Sequence, residues 1–187
     1  NPWVVSLHLL LSMAMVGVAV LLLHRLDHPD ATWQRGPTAA FAWVLLASAW
    51  VVLFLGTVVT GAGPHAGDAE TPRNGLDTLE TSQLHADAVF LLVGLSIGMA
   101  FLLGATRGRG PALRAALVLL AVEAGQSTIG FVQYFTDLPE VLVGFHLLGA
   151  GLISAAVTWV LVEVVLVDVA AAPREHPSYD PDFSRIS

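Results

Sequence analysis

Five stretches of the chain, at about 3–24, 39–60, 83–103, 113–134 and 140–166, are continuously apolar, and the breaks between them are polar. At about 1.5 Å rise per residue, roughly 20 such residues form a helix that crosses about 30 Å of hydrocarbon. The apolar positions run on without the alternation of a β-barrel strand. The pattern predicts an all-α, polytopic membrane helix bundle of five transmembrane helices, with membrane lipid as its solvent. The 169–187 tail, with Pro173, Pro177 and mixed charge, reads as a solvated segment of low order.

Composition sharpens this picture. The chain is 55% hydrophobic and 12% charged, too apolar for a surface that faces water on all sides. It has no cysteine, so thiolate ligands, disulfides and cysteine nucleophiles are excluded. Its net charge of −7 argues against a nucleic-acid partner. All formal positive charge is arginine, and its distribution predicts an orientation. Arg25, Arg35, Arg107, Arg109, Arg114, Arg174 and Arg185 fall in the segments expected on the cytoplasmic side. The 61–82 loop holds one arginine, Arg73, against Asp68, Glu70, Asp77 and Glu80, and the 135–140 turn holds Asp137 and Glu140. These are expected to face outward, which puts the amino terminus outside and the carboxyl terminus in the cytoplasm of a multi-pass cell-membrane protein. No targeting signal is expected in the first span, which is long and lacks a basic leader.

Seven histidines supply the candidate chemistry. His24, His28, His65 and His176 lie at helix ends, in the outer loop or in the tail, and a solvated role is expected for each. His8, His85 and His146 lie inside apolar spans, where an unpaired imidazole is costly. Asp77 with Glu80, and Asp137 with Glu140, form D-x-x-E capping patterns before the third and fifth spans, and Asn1 with Pro2 opens the first. Counted from these caps, His85, His146 and His8 sit eight, nine and seven residues into their helices, roughly 10–14 Å along each axis. Three imidazoles are therefore expected at one depth. Two neutral imidazoles from facing helices can take the axial positions of a haem iron, whereas zinc wants three or four ligands and no clustered carboxylate or cysteine joins these histidines. The plainer reading is histidine as hydrogen-bonding glue between helices.

Two further features bear on function. Residues 4–10 (VVSLHLL) and 142–148 (LVGFHLL) align as an internal repeat that makes the first and fifth spans equivalent elements of a duplicated unit. Gly94 and Gly98, and Gly144, Gly149, Ala150 and Gly151 around His146, offer backbone surface for a flat ring or for close helix packing. Glu123 falls mid-span, where it is expected either to be protonated and bonded to Gln126 or to a neighbouring helix, or to belong to a proton path.

The segments 125–150 (GQSTIGFVQYFTDLPEVLVGFHLLGA), 56–68 (GTVVTGAGPHAGD) and 83–87 (QLHAD) resemble the haem A synthase family, especially its actinobacterial members. The resemblance covers nearly all of residues 1–167. It implies an oxidoreductase of eight helices in two pseudo-symmetric four-helix halves, oxidising the C8 methyl of haem O to a formyl group for cytochrome oxidase assembly. On that resemblance, residues 1–36 are the last helix of the N-terminal half and a cytoplasmic linker, 37–168 the C-terminal four-helix haem-binding bundle, and 169–187 a cytoplasmic tail. His85 and His146 look like the axial pair of a haem b, and His8 like a ligand of the haem O substrate. Arg73, Gln133 and Tyr134 are candidates to meet haem propionates. The partner of His8 and the family's catalytic acidic motif would lie upstream of Asn1, so no catalytic residue is assigned in this chain. The cysteine pair that many relatives carry in the loop matching 61–82 is absent.

Two other function classes fit the same residues. A quinone-linked cytochrome b subunit would share the histidine pair without needing His8. A transporter or structural subunit would bind no haem, its histidines serving as proton path or glue. Possible partners on the enzyme reading are a quinone or other redox carrier, a second copy of the chain, or oxidase assembly proteins.

Overall fold

The computed structural model describes residues 1–64 and 72–168. It contains five long helices: α1 (Pro2–Asp27), α2 (Pro37–Ala62), α3 (Thr78–Thr106), α4 (Pro111–Phe135) and α5 (Glu140–Val165). All five are long and apolar enough to cross a membrane, as the hydropathy pattern predicts. Strands β1 (Ala31–Trp33) and β2 (Leu166–Asp168) pair antiparallel, with Thr32 opposite Val167. The calls on His65, Asp68, Glu70, Arg174, His176, Arg185 and the 169–187 tail lie outside the described residues.

The helix starts follow local chemistry. Proline occupies the first turn of α1, α2 and α4, where its missing N–H has no helical partner to lose. The Asn1 side chain accepts from the Trp3 N–H at 3.0 Å, and Asp77 Oδ1 accepts from the Glu80 N–H at 2.8 Å. The second expected cap does not form. Asp137 and Leu138 adopt positive φ, 56° and 54°, to make the tight turn, and the N-cap of α5 is Pro139 with no side-chain hydrogen bond. Within the spans, hydroxyls satisfy themselves on the carbonyl four residues back: Ser12 on His8, Thr60 on Gly56, Thr128 on Ala124, Thr158 on Ser154. This is how polar residues persist in apolar helices without a partner in lipid.

Helices α2, α3, α4 and α5 form a ring in which each packs on its chain neighbour and α5 closes onto α2, so α3 and α5 stand diagonally across the bundle. Helix α1 packs outside the ring, on α5 and α2. It is held by small and polar contacts: Ser154 Oγ donates to the Met13 carbonyl at 2.7 Å, and Gly17 lies against the Thr158 hydroxyl. The outward side of the bundle is studded with Leu11, Met15, Val18, Phe90, Leu91, Phe101 and Leu148, all exposed, as a lipid-facing surface requires.

One end of the bundle gathers Arg25, Arg35, Arg107, Arg109 and Arg114, and the β1–β2 ribbon closes it. Arg107 donates to the Glu163 and Val164 carbonyls at 3.2 and 3.3 Å, satisfying the last turn of α5. Arg25 donates to the Ala31 carbonyl at 2.7 Å and covers the Trp33 ring, which stacks on Trp43. His24 is not solvated as expected: it is buried, stacks on His28 with ring centroids 4.6 Å apart, and faces Glu163.

Packing is unequal along the bundle. The large side chains that are fully buried, among them Leu45, Met99, Leu103, Leu119, Val157 and Val160, all lie from mid-bundle to the arginine end. Alanines 42, 49, 112, 115 and 116 let the helices close tightly there. At the opposite end, residues 141–148 of α5 include no buried residue, and only Gln133 is buried in the last twelve of α4. His85 and His146 lie in this loosely filled half.

Candidate functional site

The site is built from two similar hairpins. In α2–α3 the Gly56 backbone faces the His85 ring, and a Cβ added at Gly56 would lie 3.3 Å from His85 Cε1. In α4–α5 the Gly130 backbone faces the His146 ring, and its added Cβ would likewise lie 3.3 Å from His146 Cε1. Each contact is tighter than an ordinary van der Waals approach, so glycine makes room for each imidazole. His85 follows the cap of α3 by eight residues and His146 follows the actual cap of α5 by seven, which keeps the two at one level. They rise from helices that stand diagonally across the ring.

Each ring has a buried nitrogen with nothing to bond. The Nδ1 atoms of His85 and of His146 have no hydrogen-bond partner, while the His85 ring also meets the Val52 backbone. Unpaired buried polar atoms are rare and call for a ligand or for strain. Behind His146, Gln126 of α4 donates from Nε2 to the His146 carbonyl at 2.8 Å. Gln126 lies in the space that a side chain at residue 149 would occupy, so only Gly149 allows this bond.

His8 is not part of this pair. It is exposed on α1, outside the ring, on a face that continues through Val4, Leu11, Met15, Val18 and Leu22 at heptad spacing. Arg73 donates to the Pro64 carbonyl at 2.8 Å and lines a hollow of about 350 Å³ with Asn1, Pro2, Trp3, Pro72 and Asn74. Gln133 is buried, whereas Tyr134 is 57% exposed and meets Phe135 edge-on, turned away from the interior. Among the described residues no three His, Asp or Glu side chains converge as a metal site.

Of the small residues noted around these histidines, Gly98 faces the Phe41 ring and a Cβ added at Gly151 would lie 3.9 Å from the Met13 sulfur, whereas one added at Gly94 or Gly144 would meet nothing within 4 Å. The glycines that face imidazole are Gly56 and Gly130. Their signal in the sequence is a shared Gly-x-Val, 56–58 and 130–132, near the ends of α2 and α4. Glu123 bonds to a neighbouring helix, accepting from Ser96 Oγ at 2.7 Å, and Gln126 Nε2 is engaged with the His146 carbonyl.

No protein-family model matches this chain, and no curated protein or solved structure matches it.

Proposed function

We propose that the α2–α5 ring is a haem-binding four-helix membrane bundle in which His85 and His146 would hold one haem iron. The observation that carries this reading is the pair itself: two imidazoles on diagonal helices at one level, each with an orphaned buried nitrogen and each backed by a glycine. The residues present fit the group. Neutral imidazole is a haem ligand of ordinary strength, and the loosely filled half of the bundle is where a planar ring would enter. Taken with the resemblance of its motifs, the chain is a haem A synthase-like oxidoreductase, with this half holding a haem b.

A haem held by His85 and His146 would supply one-electron transfer. The chain's own residues do the rest. Gly56 and Gly130 leave room for each imidazole against α2 and α4, and Gln126 holds the α5 backbone at His146. The tightly packed arginine half keeps water from reaching the site from below. His8, on the uncovered face of α1, is assigned to a separate haem O substrate site. Arg73 and Gln133 are positioned at the same end of the bundle as the pair and are the candidates for propionate contacts; the outward turn of Tyr134 leaves it the weakest of the three. The orientation with the histidine half outward follows from arginine at the other end.

The test is a reduced-minus-oxidised absorption spectrum of the purified protein. A sharp low-spin α-band is expected, lost in His85→Ala or His146→Ala and kept in His8→Ala. Low-spin haem still copurifying with the double variant overturns the assignment, and no haem in any preparation favours the transporter or structural reading.

A further inference from the structure

Glu123 lies at the middle of α4, twelve residues from either end, and is 3% exposed. Its Oε1 accepts from Ser96 Oγ, and its Oε2 is buried with no partner. One turn along the same helix, Gln126 gives its Nε2 to the His146 carbonyl, and its Oε1 is also buried with no partner. Flipping the Gln126 amide would only set its oxygen against that carbonyl. Two buried oxygens on one helix, three residues apart with Cβ atoms about 5–6 Å apart, therefore both want a donor. An ionised Glu123 satisfies neither. A single hydrogen on Glu123 satisfies both.

We propose that Glu123 is a proton-binding site, its carboxyl carrying an exchangeable proton donated from Oε2 to Gln126 Oε1, directly or through one water, with Gln126 linking it to the His146 backbone. The surrounding elements offer no counter-charge. Helix α3 has no charged residue between Asp87 and Arg107, α5 has none between Glu140 and Glu163, and α2 has none in its length. The titratable and charged groups on these helices in the spans around Glu123 are His85 and Asp87 on α3, His146 on α5, and on α4 itself the exposed Tyr134 and Arg114, the latter nine residues away, about 13 Å along the axis. His85 is eleven residues from Ser96, about 16 Å along the α3 axis, so it does not ion-pair with Glu123. The proton site stands without the haem reading, and only its link to an iron ligand depends on it.

The experiment is infrared spectroscopy of the purified protein in H₂O and D₂O. A carbonyl stretch of a buried protonated carboxylic acid is expected to shift down in D₂O, to be lost in Glu123→Gln and to persist in Glu163→Gln. In Gln126→Leu the same band moves to the position of an acid with no acceptor. Glu123→Gln keeps the fold, because its amide can accept from Ser96 and donate to Gln126. Absence of the band in the wild type, or its survival in Glu123→Gln, overturns the proposal, and an unmoved band in Gln126→Leu overturns the sharing of the proton. A Glu123-dependent acid band in a preparation with no haem would sink the haem reading alone.

Discussion

The contact between Gly149 and Gln126 gives the sharpest test of how the site is held. A methyl group at residue 149 would overlap the end of the Gln126 side chain, not any backbone atom. The long side chain can move aside, so the helices need not separate. What is lost is the bond from Gln126 Nε2 to the His146 carbonyl at 2.8 Å. In water such a bond contributes about 0.5–1.5 kcal/mol, and between membrane helices about 0.6 kcal/mol on average. Alanine in place of glycine favours the helix by up to about 1 kcal/mol. Gly149→Ala is thus expected to be close to neutral in the wild type, the two terms nearly cancelling. In a Gln126→Ala background the bond is already absent, and the same substitution should stabilise by about 1 kcal/mol. The assay is reversible unfolding in mixed micelles across the four proteins of the double-mutant cycle, read by far-ultraviolet circular dichroism. A coupling of about 0.5–1.5 kcal/mol is the expected result. Additive effects, or a loss of several kcal/mol in both backgrounds, would mean that residue 149 sets the helix separation and that Gln126 does not hold the His146 backbone.

Gly56→Leu and Gly130→Leu fill the space into which each imidazole turns, so haem content per protein should fall severalfold in either, measured as the ratio of Soret to protein absorbance, while Gly94→Leu, where nothing lies within 4 Å, leaves it unchanged. Arg107→Ala frees the Glu163 and Val164 carbonyls, and amide hydrogen exchange should rise in the last turn of α5 and in the β1–β2 ribbon, with no change in α3 near His85. Equal exchange in the two proteins would show that the guanidinium adds nothing to the end of α5.

The five spans were legible because hydrocarbon thickness sets a length that no other constraint blurs, and all five predicted stretches fall on helices. Caps were legible only where a side chain does the capping. Asp77 does so on Glu80, but the D-x-x-E text at Asp137 is spent on a turn whose positive φ values carry the chain around before α5 begins. His146 nonetheless keeps its depth, because moving the start to Pro139 shortens the count from nine to seven, which still leaves it within one residue of that of His85. The wall against each imidazole was not legible. In helices apolar on every side, sequence periodicity carries no rotational phase, so Gly94 and Gly56 look equally suited to a close approach. Only the folded hairpins separate them, one facing open space and the other a histidine.

The same loss of phase explains why Glu123 was placed in depth but not in direction. Nothing in the text of α4 says whether its carboxyl meets Gln126 or another helix, and the answer depends on Ser96, 27 residues earlier on α3. The packing gradient gives that meeting its consequence. Ser96 and Glu123 sit at the upper edge of the tightly closed half, and Gln126 one turn above it reaches His146 in the loose half. The closed half fixes the helix axes, so the open half can admit a planar group without unfolding the bundle. Gln126, bonded to the His146 carbonyl, is the side chain through which the rigid part constrains the position of His146.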